Sequence, residues 1–95
     1  MNKMIIKKLK QIKPILNNRY GVEKFAIFGS QARDDYTKDS DIDIAIISMK
    51  NKNFDAFIEL REYLKNELKM DVDVVFFDSM NSFIKNEIKK EMIYV

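Results

Sequence analysis

The chain contains neither cysteine nor histidine among its 95 residues. Without cysteine there is no disulfide framework and no zinc-thiolate site, and without histidine the usual general base and metal ligand is missing. Any catalysis rests on carboxylates, hydroxyls, Lys and Arg. No apolar run approaches the roughly 20 residues that span a bilayer, and the opening segment Met1-Asn2-Lys3-Met4-Ile5-Ile6-Lys7-Lys8 lacks the long apolar stretch of a secretion signal. These absences predict a cytoplasmic protein without a membrane partner. Serine- or glycine-rich linkers, internal repeats and low-complexity tracts are also absent, which predicts a single domain over residues 1–95.

What is present is a globular balance, with 46% hydrophobic and 34% charged residues. A formal charge of +2 is too small to imply a nucleic-acid partner. The lysines that crowd the first segment, Lys3, Lys7, Lys8, Lys10 and Lys13, fit the solvated face of a helix.

Helical spacing opens the chain in Ile5, Leu9, Ile12, Ile15 and Leu16, and Pro14 predicts a break or kink there with a second short helix after it. Gly21 suits the end of that stretch. Lys24 to Phe28 reads as a short buried strand that runs directly into Gly29-Ser30. Asp41 to Ile47 reads as a second strand with period two, Asp41, Asp43 and Ala45 on one face and Ile42, Ile44 and Ile46 on the other. Phe54 to Leu68 has the apolar spacing of an amphipathic helix. Asp71 to Phe77 reads as a third strand, and Asp78 or Ser79 as the start of a last helix through Phe83, Ile84, Ile88 and Met92 that ends near Ile93-Tyr94-Val95. Alternating helices and strands predict an α/β fold.

Acids placed at the start of otherwise apolar strands are the informative feature, because an ionised carboxylate in apolar surroundings needs a compensating charge. Residues two apart share a face, so Asp41 and Asp43 can share a hard, oxygen-preferring ion, and Asp73 on a neighbouring strand can complete the cluster. Two divalent ions held in this way suit in-line phosphoryl or nucleotidyl transfer. The competing reading pairs these acids with Lys or Arg at the surface. Gly29-Ser30, separated from Asp41 by ten residues, adds a place where the backbone can approach a phosphate and a hydroxyl can bind its oxygens.

The stretches Phe28-Gly29-Ser30-Gln31-Ala32-Arg33, Ser40-Asp41-Ile42-Asp43-Ile44 and Val72-Asp73-Val74-Val75 resemble the minimal nucleotidyltransferases of the DNA polymerase-β superfamily. The resemblance implies a small mixed sheet flanked by helices, with Gly29 and Ser30 gripping the triphosphate of ATP and Arg33 and Ser40 beside it. It implies that Asp41 and Asp43 bind two magnesium ions, manganese being an alternative, and that Asp73 is the metal-positioning acid or the base for the acceptor hydroxyl. Larger members carry an added acceptor-binding domain, for which this chain has no room. Such minimal proteins resemble the antitoxin partners of helical HEPN ribonuclease toxins, which implies transfer of AMP from ATP to a toxin tyrosine.

Two alternatives stay open: an antitoxin that neutralises its toxin by binding alone, and nucleotidyl transfer to a small molecule. Where members of the family often have glycine after the arginine, this chain has Asp34, a residue that tolerates left-handed backbone. Arg33 suits a salt bridge that fixes the loop better than a phosphate contact, and Ser40 suits a local hydrogen bond. Asp71 shares a strand face with Asp73, but the Val-Asp-Val-Val match selects Asp73.

Overall fold

The computed structural model describes residues 2–95. Helix α1 (Lys3–Tyr20) leads to strand β1 (Val22–Phe28), the short helix α2 (Ser30–Arg33), β2 (Ile42–Met49), α3 (Phe54–Leu68), β3 (Val72–Phe76), α4 (Ser82–Lys89) and β4 (Ile93–Tyr94). The four strands form one mixed sheet in the order β3-β2-β1-β4, with β1 antiparallel to β2 and β4, and β2 parallel to β3. The parallel pair is joined through α3, since parallel neighbours need a crossover rather than a hairpin. This is the α/β architecture with a mixed sheet and flanking helices that the sequence predicts.

Helix α1 forms because Ile5, Leu9, Ile12, Leu16 and Tyr20 recur along one face, and all five are buried. The Asn2 side chain accepts from the Ile5 amide at its start, and Gly21, at φ 73°, closes it by donating to the Asn17 carbonyl. Pro14 neither ends the helix nor begins a second one. Its missing hydrogen bond falls at Lys10, and both residues lie on the exposed side, where the freed carbonyl is open to solvent. Helix α3 buries Leu60, Leu64 and Leu68 against the same core and is capped by Asn53.

The core joins these helices to the inward residues of the strands: Phe25 and Ile27 of β1, Ile42, Ile44 and Ile46 of β2, Val72 and Val74 of β3. Each fully buried aliphatic side chain stabilises the fold by about 1.5–3 kcal/mol. Since strand side chains alternate, Asp43 and Asp73 project to the opposite side of the sheet from α1 and α3.

Two other expectations change. Asp78 and Ser79 belong to a 3-10 turn over Phe77–Ser79, and the cap of α4 is Asn81, whose side chain accepts from the Ile84 amide at 2.9 Å. Ile93-Tyr94 does not finish a helix but forms β4 at the edge of the sheet, where Ile93 pairs with Ile27 and Tyr94 with Ala26. Among the described residues no helix is long and apolar enough to cross a membrane.

Candidate active site

The site is assembled by strand register. Across the parallel pair Asp43 stands opposite Asp73, and across the antiparallel pair it stands opposite Phe28, the residue before Gly29. Neighbouring strands lie about 4.8 Å apart, so two carboxylates and the Gly29-Ser30 turn meet at one end of the sheet. Asp41 lies just ahead of β2 and is exposed. The two-residue period places it on the Asp43 side.

The electrostatics record this crowding. The Asp43 carboxyl is held above its ordinary value, first because its half-buried position removes water from the charge and then because Asp73 and Asp41 repel it. Arg33 acts in the opposite sense, and Glu91 adds to the rise. Among the described residues no three acidic side chains converge into a set able to hold an ion. The donor chemistry nevertheless fits a hard divalent ion: Asp41, Asp43 and Asp73 offer only oxygen, and the strain on Asp43 is of the kind that a cation relieves.

Gly29 turns the chain from β1 into α2 at φ 75° and ψ −156°, a region open essentially only to glycine. A Cβ at this position would overlap the Asp43 carboxylate. Glycine is therefore required both by the turn and by the closeness of the loop to the acids. Ser30 begins α2, and the carbonyl of Gly29 accepts from the Ala32 and Arg33 amides. The amides of Ser30 and Gln31 belong to the open end of that turn. Asp34 closes it in the left-handed conformation, φ 69° and ψ 14°, so the turn forms with aspartate in place of glycine.

Arg33 is engaged within the protein, 2.8 Å from Glu91 and 3.1 Å from Asp35, and both contacts raise its already high pKa, Glu91 the more. Ser40 Oγ accepts from the Thr37 amide at 2.9 Å, a local hydrogen bond that ties the loop before β2. Asp71 lies outside β3 and faces Lys65 at 3.8 Å, whereas Asp73 stands in register with Asp43.

Two residues carry more of this site than their sequence context suggests. Glu91, just after α4, accepts from the Gly29 amide at 3.1 Å and from Arg33. Gln31 is the only buried polar or charged side chain among the described residues. Its Oε1 accepts from Asn2 Nδ2 at 2.9 Å and its carbonyl from the Asn2 amide at 2.9 Å, which fastens α2 to the start of α1. Glu91 lies in no pattern that separates it from an ordinary surface glutamate, whereas Gln31 falls inside the Gly-Ser stretch, where the sequence assigns it no role.

Comparison with known proteins agrees with this geometry. The model of the nucleotidyltransferase domain family matches residues 9–95. A candidate protein adenylyltransferase of Methanocaldococcus jannaschii is 40% identical over 88 residues, which cover 92% of this chain and 90% of the relative. The protein adenylyltransferase MntA of Thermococcus cleftensis is 38% identical over 80 residues, covering 84% and 81%. A chain from a crystal structure of a toxin-antitoxin with AMP-PNP superposes with a TM-score of 0.73 at 26% identity, over 92% of this chain and 70% of that one. With a family model spanning nearly the whole chain and relatives of this identity, the protein belongs to the nucleotidyltransferase domain family.

Proposed function

We propose that this chain works as one domain in the cytoplasm and transfers AMP from ATP to a tyrosine hydroxyl of a helical HEPN ribonuclease toxin, acting as its antitoxin. The observation that carries this reading is the register of Asp43 with Asp73 beside a turn where only glycine fits. The adenylyltransferase relatives support the reaction, and the toxin-antitoxin with AMP-PNP supports both a triphosphate substrate and a toxin partner.

In this reading Asp41 and Asp43 would hold two magnesium ions, with manganese as a substitute, and Asp73 would share in holding them. Bound divalent ions would neutralise the triphosphate and the crowded carboxylates. The Ser30 hydroxyl and the amides at the start of α2 bind phosphate oxygens, while Arg33 and Ser40 keep the flanking loops in place. The tyrosine oxygen bonds to the α-phosphorus, the bond from that phosphorus to the α–β bridging oxygen breaks, and pyrophosphate leaves. The hydroxyl proton passes to the Asp73 carboxylate, which stands one strand away from Asp43.

The test is incubation of the protein with magnesium, ATP and the co-encoded helical protein, followed by mass spectrometry of that partner. Adenylate on a partner tyrosine with wild type, but not with Asp41→Asn/Asp43→Asn, is the expected result. A partner that is bound and silenced without modification would overturn transfer and leave neutralisation by binding alone.

A further inference from the structure

The Glu91 carboxylate occupies an unusual place. It comes from the far end of the chain, yet it bonds to the backbone of the turn that the nucleotide reading assigns to phosphate. One oxygen accepts from the Gly29 amide at 3.1 Å and the other from Arg33 Nη1 at 2.8 Å. The side chain is only 23% exposed, which strengthens both bonds relative to a fully solvated pair.

The position of Glu91 is set by firm anchors on both sides. Its amide donates to the Ile88 carbonyl at the end of α4. Two residues later Ile93 enters the sheet against Ile27, and the Val95 amide donates to the Phe25 carbonyl at 3.2 Å. Lys13 of α1 then reaches the Val95 carbonyl at 2.8 Å. The C-terminal strap therefore lies along β1 and carries Glu91 to the end of that strand, where Gly29 begins the turn.

The Gly29 amide cannot serve an anion while it serves Glu91. Phosphate binding then falls to the hydroxyl of Ser30 and the amides at the start of α2, one residue further along. Fixing the Gly29 peptide fixes the direction of the Ser30 amide, because the two share a backbone held at φ 75° and ψ −156°. The same carboxylate holds Arg33 at the other end of α2. A single acid thus grips both ends of the four-residue helix.

We propose that Glu91 is a positioning residue for the triphosphate: it clamps the Gly29 and Arg33 ends of the α2 turn and so aims the Ser30 side of that turn at the phosphates. The inference rests on the nucleotide reading of the site. It differs from that reading in its consequence, because removing Glu91 weakens binding of the triphosphate tail through the loop, although Glu91 itself repels phosphate.

The chain has only two glycines, so protein labelled with 15N-glycine shows two amide resonances, and 13C-carbonyl phenylalanine marks Gly29, which follows Phe28. The Gly29 resonance is expected to shift strongly in Glu91→Ala and less in Glu91→Gln, which keeps an acceptor for the amide. Titration calorimetry with magnesium and ATP is expected to show about a tenfold loss of affinity in Glu91→Ala and partial rescue in Glu91→Gln, with affinity for AMP changed little. Rescue is partial because Glu91→Gln keeps the Gly29 end of the clamp but not the Arg33 end. Circular dichroism melting identifies a variant that has lost its fold, and the Gln variant, matched in shape, then decides.

Affinity for ATP unchanged or tightened in folded Glu91→Ala would overturn the clamp and make Glu91 a bystander or a competing anion. An unmoved Gly29 resonance would overturn it directly. Wild type that binds no ATP would instead remove the nucleotide reading of the site, and the glycine resonance would still decide whether Glu91 holds the loop.

Discussion

Asp43 stands directly across from Asp73 in the parallel β2–β3 register, and neither acid has a Lys or Arg partner within salt-bridge distance among the described residues. An arrangement that served stability alone would place a cation between them. The compensating charge that acts on Asp43 is Arg33, and its influence is weaker than those of Asp73 and Asp41.

That relationship makes the stability of the protein depend on pH in a stated direction. The folded-state pKa of Asp43 is raised above the ordinary value of 3.8, so its stabilising form is the protonated one. This contribution is fully present below the ordinary value and is lost as pH rises through the raised one. At neutral pH, with chelator, Asp43→Asn should therefore melt above wild type, by at most about 1 kcal/mol because solvent screens a half-buried group. The difference should vanish in acid below the ordinary aspartate range. Magnesium should raise the melting temperature of wild type but not of the variant. Thermal melts at several pH values, with and without magnesium, check all three.

Gly29→Ala should fail for two separate reasons. The backbone conformation costs about 1–3 kcal/mol for any residue with a side chain. The added methyl group would also displace the Asp43 carboxylate. The expected outcome is a lower melting temperature together with loss of nucleotide binding. A variant that keeps wild-type affinity for ATP would show that the turn does not need to approach Asp43 so closely.

Much of this site was readable in advance because it depends on short-range spacing. The i, i+2 period places Asp43 opposite the buried isoleucines, and a strand ending in Gly-Ser marks a sharp handover; both effects act within a few residues. Glu91 was not readable, because its role comes from a sheet pairing between Ile93 and Ile27 that no local pattern announces. A strand of two residues is too short to show alternation, so Ile93-Tyr94 looks like the tail of α4. The role of Gln31 was hidden for a similar reason: its side-chain partner is Asn2, 29 residues away.

Pro14 shows local propensity overruled by packing. Leu9, Ile12, Leu16 and Tyr20 are buried on both sides of it, and their combined burial outweighs one missing hydrogen bond on the solvent side. Pro14→Ala should restore the donor to the Lys10 carbonyl without touching the core. The expected gain is about 1–3 kcal/mol, offset in part by greater freedom of the unfolded chain. Urea denaturation checks it, and activity should not change, because Pro14 is remote from the Asp43 end of the sheet.

Asp71 and Asp73 give the sharpest test of the chemistry because they are near neighbours with different surroundings. Asp71 is 77% exposed, lies outside β3 and faces Lys65, so Asp71→Asn removes one weak surface ion pair. Asp73 stands in register with Asp43, and the proposed reaction assigns it the proton of the incoming hydroxyl. Asp73→Asn keeps the shape of the side chain but removes the base, so transfer should fall by about 10²–10⁴-fold. Stability should hold, since relief of repulsion on Asp43 compensates for the lost charge. Rates of partner adenylylation for the two variants, measured beside their ATP affinities, separate the roles. Equal losses in both would mean that the end of β3 acts as a diffuse acidic patch, and the register between Asp43 and Asp73 would then lose its assigned part in the reaction.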